Sequence, residues 1–264
     1  MTRACEESER PKGASPAPTR EAASEQAPIG RAQRGRSPRG VQKGGFFVTG
    51  TDTGVGKTVV ACALVRAMRE RGLDVGAMKP IETGVGEDGP LDAQALREAA
   101  GSVDPLDDVC PQRFALPAAP TVAAAAEEGA VDRDAIRAAF DRLRARHDWL
   151  VVEGAGGLLV PAAEELTMAD LARELGLPLL IVARGALGTI NHTLLTVEAV
   201  ERRGLPLAGV VISHAGGPLS GPDAANLEAL RAALGPRLVG EIGPLAPGER
   251  PKPDALRLDA LLPA

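Results

Sequence analysis

Residues 46–58 read FFVTGTDTGVGKT, and the interpretation of this stretch decides the fold. Residues 46–49 are a short apolar run with the composition of a buried strand. The glycine-rich segment 50–58, GTDTGVGKT, follows and ends in Gly-Lys-Thr. Residues 58–71 then carry Val60, Ala61, Leu64, Val65 and Met68 at helical spacing, with Gly72 as a stop. Strand, glycine turn and helix in that order turn backbone N–H groups and a helix N-terminus toward a polyphosphate. Gly54, Val55, Gly56, Lys57, Thr58 and Val59 are the expected nucleotide contacts. Lys57 is placed to reach the β- and γ-phosphates, and the Thr58 hydroxyl to bind Mg2+. The spacing departs from the usual G-x-x-x-x-G-K-[ST] pattern, which needs glycine where this chain has Thr51. The surrounding strand and helix carry the reading instead.

Beyond this unit, short aliphatic runs alternate with helical segments. Strands are predicted at 74–79, 149–152, 179–183, 207–212 and 238–242, and helices at 93–100, 134–146, 168–175, 190–203 and 224–234. The alanine-rich 123–126 reads as ordinary helix. Gly or Pro marks most junctions, as at Gly176 with Pro178 and Gly204 with Pro206. The expected fold is three-layer α/β: a mostly parallel sheet flanked by helices, like that of P-loop NTPases. Ligands in such sheets gather beyond the carboxyl ends of the strands.

Composition narrows the functions further. The chain has 264 residues and a formal net charge of -5, with 44% hydrophobic and 25% charged residues. Aromatics are 2% and tyrosine is absent, so stacking platforms for single-stranded nucleic acid are not expected. Mild acidity gives no attraction to nucleic acid or an anionic membrane. No apolar run approaches the roughly 20 residues that span a bilayer. Cys5, Cys62 and Cys110 are odd in number and far apart, so neither a disulfide framework nor a zinc site is expected, and a reducing cytoplasm is. Residues 1–44 are rich in Arg, Ser, Pro, Ala and Gly and poor in large aliphatics. They are expected to be a disordered extension before a single domain over 45–264.

Four blocks resemble the dethiobiotin synthetase family. The first is GTDTGVGKT itself. KPIETG spans 79–84, VVEGAGG spans 151–157, and LGTINHTLLT spans 187–196. Together they cover the chain from about Phe46 onward. The resemblance implies an ATP- and Mg2+-dependent reaction in which 7,8-diaminopelargonate captures CO2 as a carbamate, ATP phosphorylates it, and the second amine closes a cyclic urea. It implies a homodimer with the active site at the interface. Lys79 is then the second active-site lysine beside Lys57. Thr58, Asp92 and Glu153 are the expected Mg2+ ligands, with an N-cap role the alternative for Asp92. Glu153, Gly154, Ala155 and Gly156 border the nucleotide, the glycines leaving little bulk beside the metal. Thr53 and Thr83 are candidate hydroxyl donors to substrate. Gly188 and Asn191 are expected to hold its carboxylate tail, with Asn191 a plausible cap, and His192 to be structural.

Two departures from the family pattern stand out, the first being Gly54 where some relatives carry Glu, so any contact made by that carboxylate is absent here. In the second, Ser213 and His214 stand where relatives often carry Asn-Asp, which puts base selectivity in doubt. Gly243, Pro244 and Leu245 fall in GEIGPLAPG, which resembles a segment lying along the nucleotide. Three other readings compete. A partitioning ATPase would carry an early lysine in the phosphate loop, and residues 50–56 have none. An amidotransferase would need a cysteine nucleophile in an added domain, and no cysteine follows Cys110. A relative without catalysis would not need Lys57, Thr58, Lys79 and Glu153 together.

Overall fold

A computed structural model describes residues 43–214, 217, 220–246 and 248–262. The predicted extension therefore lies outside the described residues, apart from Lys43 and Gly44. Gly44 opens the first strand, one residue before the expected domain start.

All six predicted strands form one parallel sheet. They are β1 (Gly44–Gly50), β2 (Val75–Met78), β3 (Trp149–Gly157), β4 (Leu179–Arg184), β5 (Leu207–Ser213) and β6 (Leu238–Ile242). Their spatial order is β6-β5-β4-β1-β3-β2. The helices beside them are α1 (Lys57–Glu70), α2 (Leu91–Ala99), α3 (Arg133–Arg146), α4 (Met168–Glu174), α5 (Thr189–Arg202) and α6 (Gly221–Leu234). The alanine-rich segment is helical within Pro120–Ala126.

The aliphatic runs are continuous because both sheet faces are covered. Successive residues alternate between two cores. Phe47, Leu150, Val152 and Ile181 face one. Phe46, Val48, Val151 and Val182 face the other, with α1. Phe46 stacks on Trp149 there, with ring centroids 6.1 Å apart. Burying a large aliphatic side chain stabilises by about 1.5–3 kcal/mol, so these layers hold the sheet rigid beneath the loops.

β1 pairs with β3 on one side and β4 on the other. The chain thus reverses its direction of sheet growth at β1, and a crevice opens at the strands' carboxyl ends. The loop between β1 and α1 sits there.

Two small strand pairs escaped the sequence reading. Ile81–Thr83 pairs in parallel with Gln112–Phe114, and Pro161–Ala163 forms a hairpin with Leu166–Thr167. The first matters for the site, because it fixes the backbone just after Lys79.

Candidate active site

The loop after β1 wraps tightly. Gly54 and Gly56 have φ of 72° and 90°, the left-handed region that side chains with a Cβ disfavour. Gly56 is the N-cap of α1, with no side-chain cap bond. The first N–H groups of α1 therefore face the loop. Lys57 opens the helix and folds back, its Nζ donating to the Asp52 carbonyl at 3.2 Å. Lys57 is buried, and that burial lowers its pKa despite the attraction of Glu153.

Four side chains from separate elements meet beside Lys57. Lys79 follows β2, and its Nζ lies 2.6 Å from Glu153 Oε1 and 2.6 Å from Asp92 Oδ2. The Thr58 hydroxyl donates toward Asp92 Oδ1 at 2.9 Å and Glu153 Oε1 at 3.0 Å. Glu153 is wholly inaccessible, and its Oε2 is buried with no hydrogen-bond partner among the described residues. Burial foremost pushes the Glu153 carboxyl above its usual range. Burial acts the same way on Asp92, but Lys79, Thr58 and Lys57 together outweigh it and hold that carboxyl low. Burial would also lower the Lys79 pKa. Glu153 and Asp92 overcome it, so the ammonium titrates above its ordinary value and stays charged.

Glu153 was expected just past a strand, but β3 runs on to Gly157 and Glu153 lies inside it, opposite Val48. The longer strand reassigns a glycine. A Cβ at Gly154 would lie 2.7 Å from the Phe47 ring, so Gly154 answers to packing on the far face of the sheet, not to bulk beside a metal.

Asp92 does not cap α2. The N-cap position is Pro90, and Asp92 sits one residue inside the helix with its carboxylate turned to Thr58 and Lys79. Glu82 does the capping. Its two oxygens accept from the Asp92 and Ala93 backbone N–H groups, both at 2.9 Å. Sequence reasoning missed Glu82, since its partners are backbone groups about ten residues on. The only signal was a carboxylate in KPIETG beside the lysine.

A cavity of about 350 Å³ holds these groups together with Thr53, Thr83, Ala155 and Gly156. Of the other expected phosphate-side residues, Val55 is buried in the core and lies outside its lining, as does Gly154. Val59 also lines a second cavity of about 220 Å³, so the two adjoin. Ser213, His214, Gly243 and Leu245 line that second cavity, whereas Pro244 is exposed outside it.

Gly188 and Asn191 line neither cavity. Gly188 is the N-cap of α5, with φ 88°, and Asn191 is an exposed residue in the helix's first turn. The expectation that Asn191 caps α5 is therefore corrected: a left-handed glycine turns the chain, with no side-chain cap. His192 is exposed, and only its backbone is bonded, accepting from the Thr196 hydroxyl and donating to Gly188. A structural hydrogen bond from its ring is not found among the described residues.

Comparison with known proteins agrees with this architecture. A family model described as an AAA domain matches residues 44–252. An ATP-dependent dethiobiotin synthetase BioD from Anaeromyxobacter dehalogenans strain 2CP-C is 59% identical over 65% of this chain and 77% of its own length. The one from Aromatoleum aromaticum is 46% identical over 75% of this chain and 89% of its own. That of Bacillus subtilis subsp. natto is 38% identical over 76% and 88%. The chain belongs to the ATP-dependent dethiobiotin synthetase family.

Proposed function

We propose that the chain converts 7,8-diaminopelargonate, CO2 and ATP to dethiobiotin, ADP and phosphate. The observation that carries this reading is the meeting of Lys57, Thr58, Lys79, Asp92 and Glu153 in one cavity at the sheet's carboxyl edge. The chemistry demands positive charge around a transferring phosphoryl group and fixed geometry, and little more.

One amine of the diamine adds to CO2 and loses a proton, giving a carbamate. A carbamate oxygen attacks the γ-phosphorus, and the bond to the bridging oxygen of ADP breaks. The second amine attacks the carbonyl carbon of the mixed anhydride, loses a proton and expels phosphate, which closes the ring. Lys57 holds the β- and γ-phosphates, whose charge replaces the solvent that burial took from its ammonium. Lys79 stays cationic and faces the carbamate oxygens. Thr53 and Thr83 position the diamine.

The residues fit Mg2+. Thr58, Asp92 and Glu153 offer oxygen donors, and Glu153 Oε2 has a buried lone pair without a partner among the described residues. Among the described residues no three His, Cys, Asp or Glu cluster as a metal cage. A hydroxyl and two carboxylates suit Mg2+, which keeps waters and shares phosphate oxygens. When bound, it supplies further positive charge to the phosphates.

We read the second cavity as the subsite of the nucleotide's base, with Gly243 to Leu245 along its rim. The family's homodimer is supported by Leu187, Leu194 and Leu195, exposed around Gly188 and Asn191. In a dimer those two residues would serve a site they do not line within one chain. A cytoplasmic location is supported by Cys62 and Cys110, both buried and free. The test of the reaction is isotopic. Labelled bicarbonate, incubated with the diamine, Mg2+ and ATP, should yield labelled dethiobiotin in step with ADP. ADP without labelled product would defeat the assignment.

A further inference from the structure

We propose that His214 is a specificity-determining residue: it selects nucleotides whose base presents an exocyclic amino group over those presenting a carbonyl at the same position. The inference rests on reading the 220 Å³ cavity as the base subsite.

Ser213 and His214 end β5 and line that cavity. Both are almost fully buried, at 1% and 5% exposure. Ser213 Oγ and His214 Nδ1 are buried without a hydrogen-bond partner among the described residues. Unpartnered buried polar atoms are uncommon, and a ligand that satisfies them binds more tightly. Gly185 abuts the same edge of the ring. A Cβ there would lie 2.7 Å from His214 Nδ1, so the glycine keeps that atom clear of a side chain.

The opposite edge of the ring fixes what Nδ1 can do. His214 Nε2 lies 2.7 Å from Glu241 Oε1. Glu241 is itself gripped by Arg231, at 2.9 Å from Nε to Oε2 and 2.6 Å from Nη2 to Oε1. A carboxylate bound to a guanidinium only accepts, so the proton of the neutral ring belongs on Nε2. Nδ1 is then an acceptor. It pairs with the amino group of adenine or cytosine and opposes the carbonyl of hypoxanthine or uracil. The Ser213 hydroxyl rotates to donate or accept and fits either edge. Discrimination therefore falls to the histidine, with Glu241 and Arg231 as positioning residues that set its tautomer.

Matched pairs isolate this effect, since ATP and ITP differ by 6-amino against 6-oxo, and CTP and UTP by 4-amino against 4-oxo. Calorimetric titration should show each amino member binding about tenfold tighter than its oxo partner, as expected when a buried acceptor loses its partner. Glu241→Gln can turn an amide N–H toward Nε2 and release the other tautomer. The ATP/ITP ratio should then fall toward one. Nitrogen NMR of the unsubstituted protein gives a second readout that needs no variant. The chain has only three histidines, so His214 can be assigned. Its Nδ1 should resonate as an unprotonated nitrogen and shift on adding ATP but not ITP. Equal affinities within both pairs, or a protonated Nδ1 unmoved by ATP, would overturn the proposal and leave the ATP site standing. Failure of any nucleotide to bind would overturn both.

Discussion

Removing the Glu82 carboxylate, which borders the cavity but bonds to the start of α2, should damage the site through Asp92. In Glu82→Ala, the Asp92 and Ala93 N–H groups lose their acceptors at the start of α2, and the Ala93 group is buried where little water can replace the carboxylate. A hydrogen bond to a charged group contributes about 1.5–3 kcal/mol, and a lost helix cap costs about 0.5–2 kcal/mol. Burial raises the Glu82 pKa, so part of that gain already offsets the cost of keeping the carboxylate charged. The lower part of the range applies, about 2 kcal/mol, or roughly 4–8 °C in Tm for a domain of this size. The effect on chemistry should be more selective. Asp92 presents its carboxylate to Lys79 and Thr58 from the turn that Glu82 anchors. Loss of such an outer partner weakens metal affinity by about 10–100-fold. Urea unfolding and a Mg2+ titration of turnover read the two consequences separately. Glu82→Gln, which keeps one acceptor, should recover much of both. If Glu82→Ala unfolds within about 0.5 kcal/mol of the parent and half-saturates at the same Mg2+ concentration, Glu82 does not position Asp92.

Lys79→Ala should cut turnover by about 10²–10³-fold or more, by removing the cation that faces developing phosphoryl charge. It also strands buried Glu153, so the variant should be less stable without metal and regain stability as Mg2+ is added. Unchanged turnover would take Lys79 out of the mechanism. Acid should destabilise the fold through Asp104 and Asp108. Burial would raise both, but Ser102, His147 and Arg146 hold Asp104 below its ordinary value, and Arg142 with Arg146 does the same for Asp108. A depressed folded-state pKa means their contribution is complete above the ordinary carboxylate range and is lost as pH falls through the folded values. The urea midpoint should hold between about pH 6 and 8 and drop below about pH 4, with a shallower drop in Asp108→Asn. Parallel acid profiles for the two proteins would contradict this.

The sheet was legible because its strands are buried on both faces and so read as unbroken aliphatic runs such as 179–183. Boundaries moved where polar residues continue a strand, as β3 does through Glu153 to Gly157. The pair Ile81–Thr83 and Gln112–Phe114 was invisible, because three residues with Glu, Gln and Arg among them carry no period. Within the candidate site, Lys57, Thr58, Lys79 and Glu153 stood out by their places in motifs, and Asp92 only through the family resemblance. Their mutual contacts did not, since the sequence separation between Thr58 and Glu153 leaves no local trace. Glu82 failed for a related reason: a side chain that caps a distant helix start obeys no short spacing. Asn191 misled because Asn is a frequent N-cap, while Gly188 takes that position with a left-handed turn.

The central claim is that this constellation couples ATP cleavage to ring closure of a diamine. Steady-state ADP release, followed with bicarbonate and Mg2+ present and the diamine either added or withheld, tests it most directly. The account predicts turnover that depends on the diamine, with one ADP formed per ring closed. ADP release at the same rate without the diamine, or none with it, would contradict it.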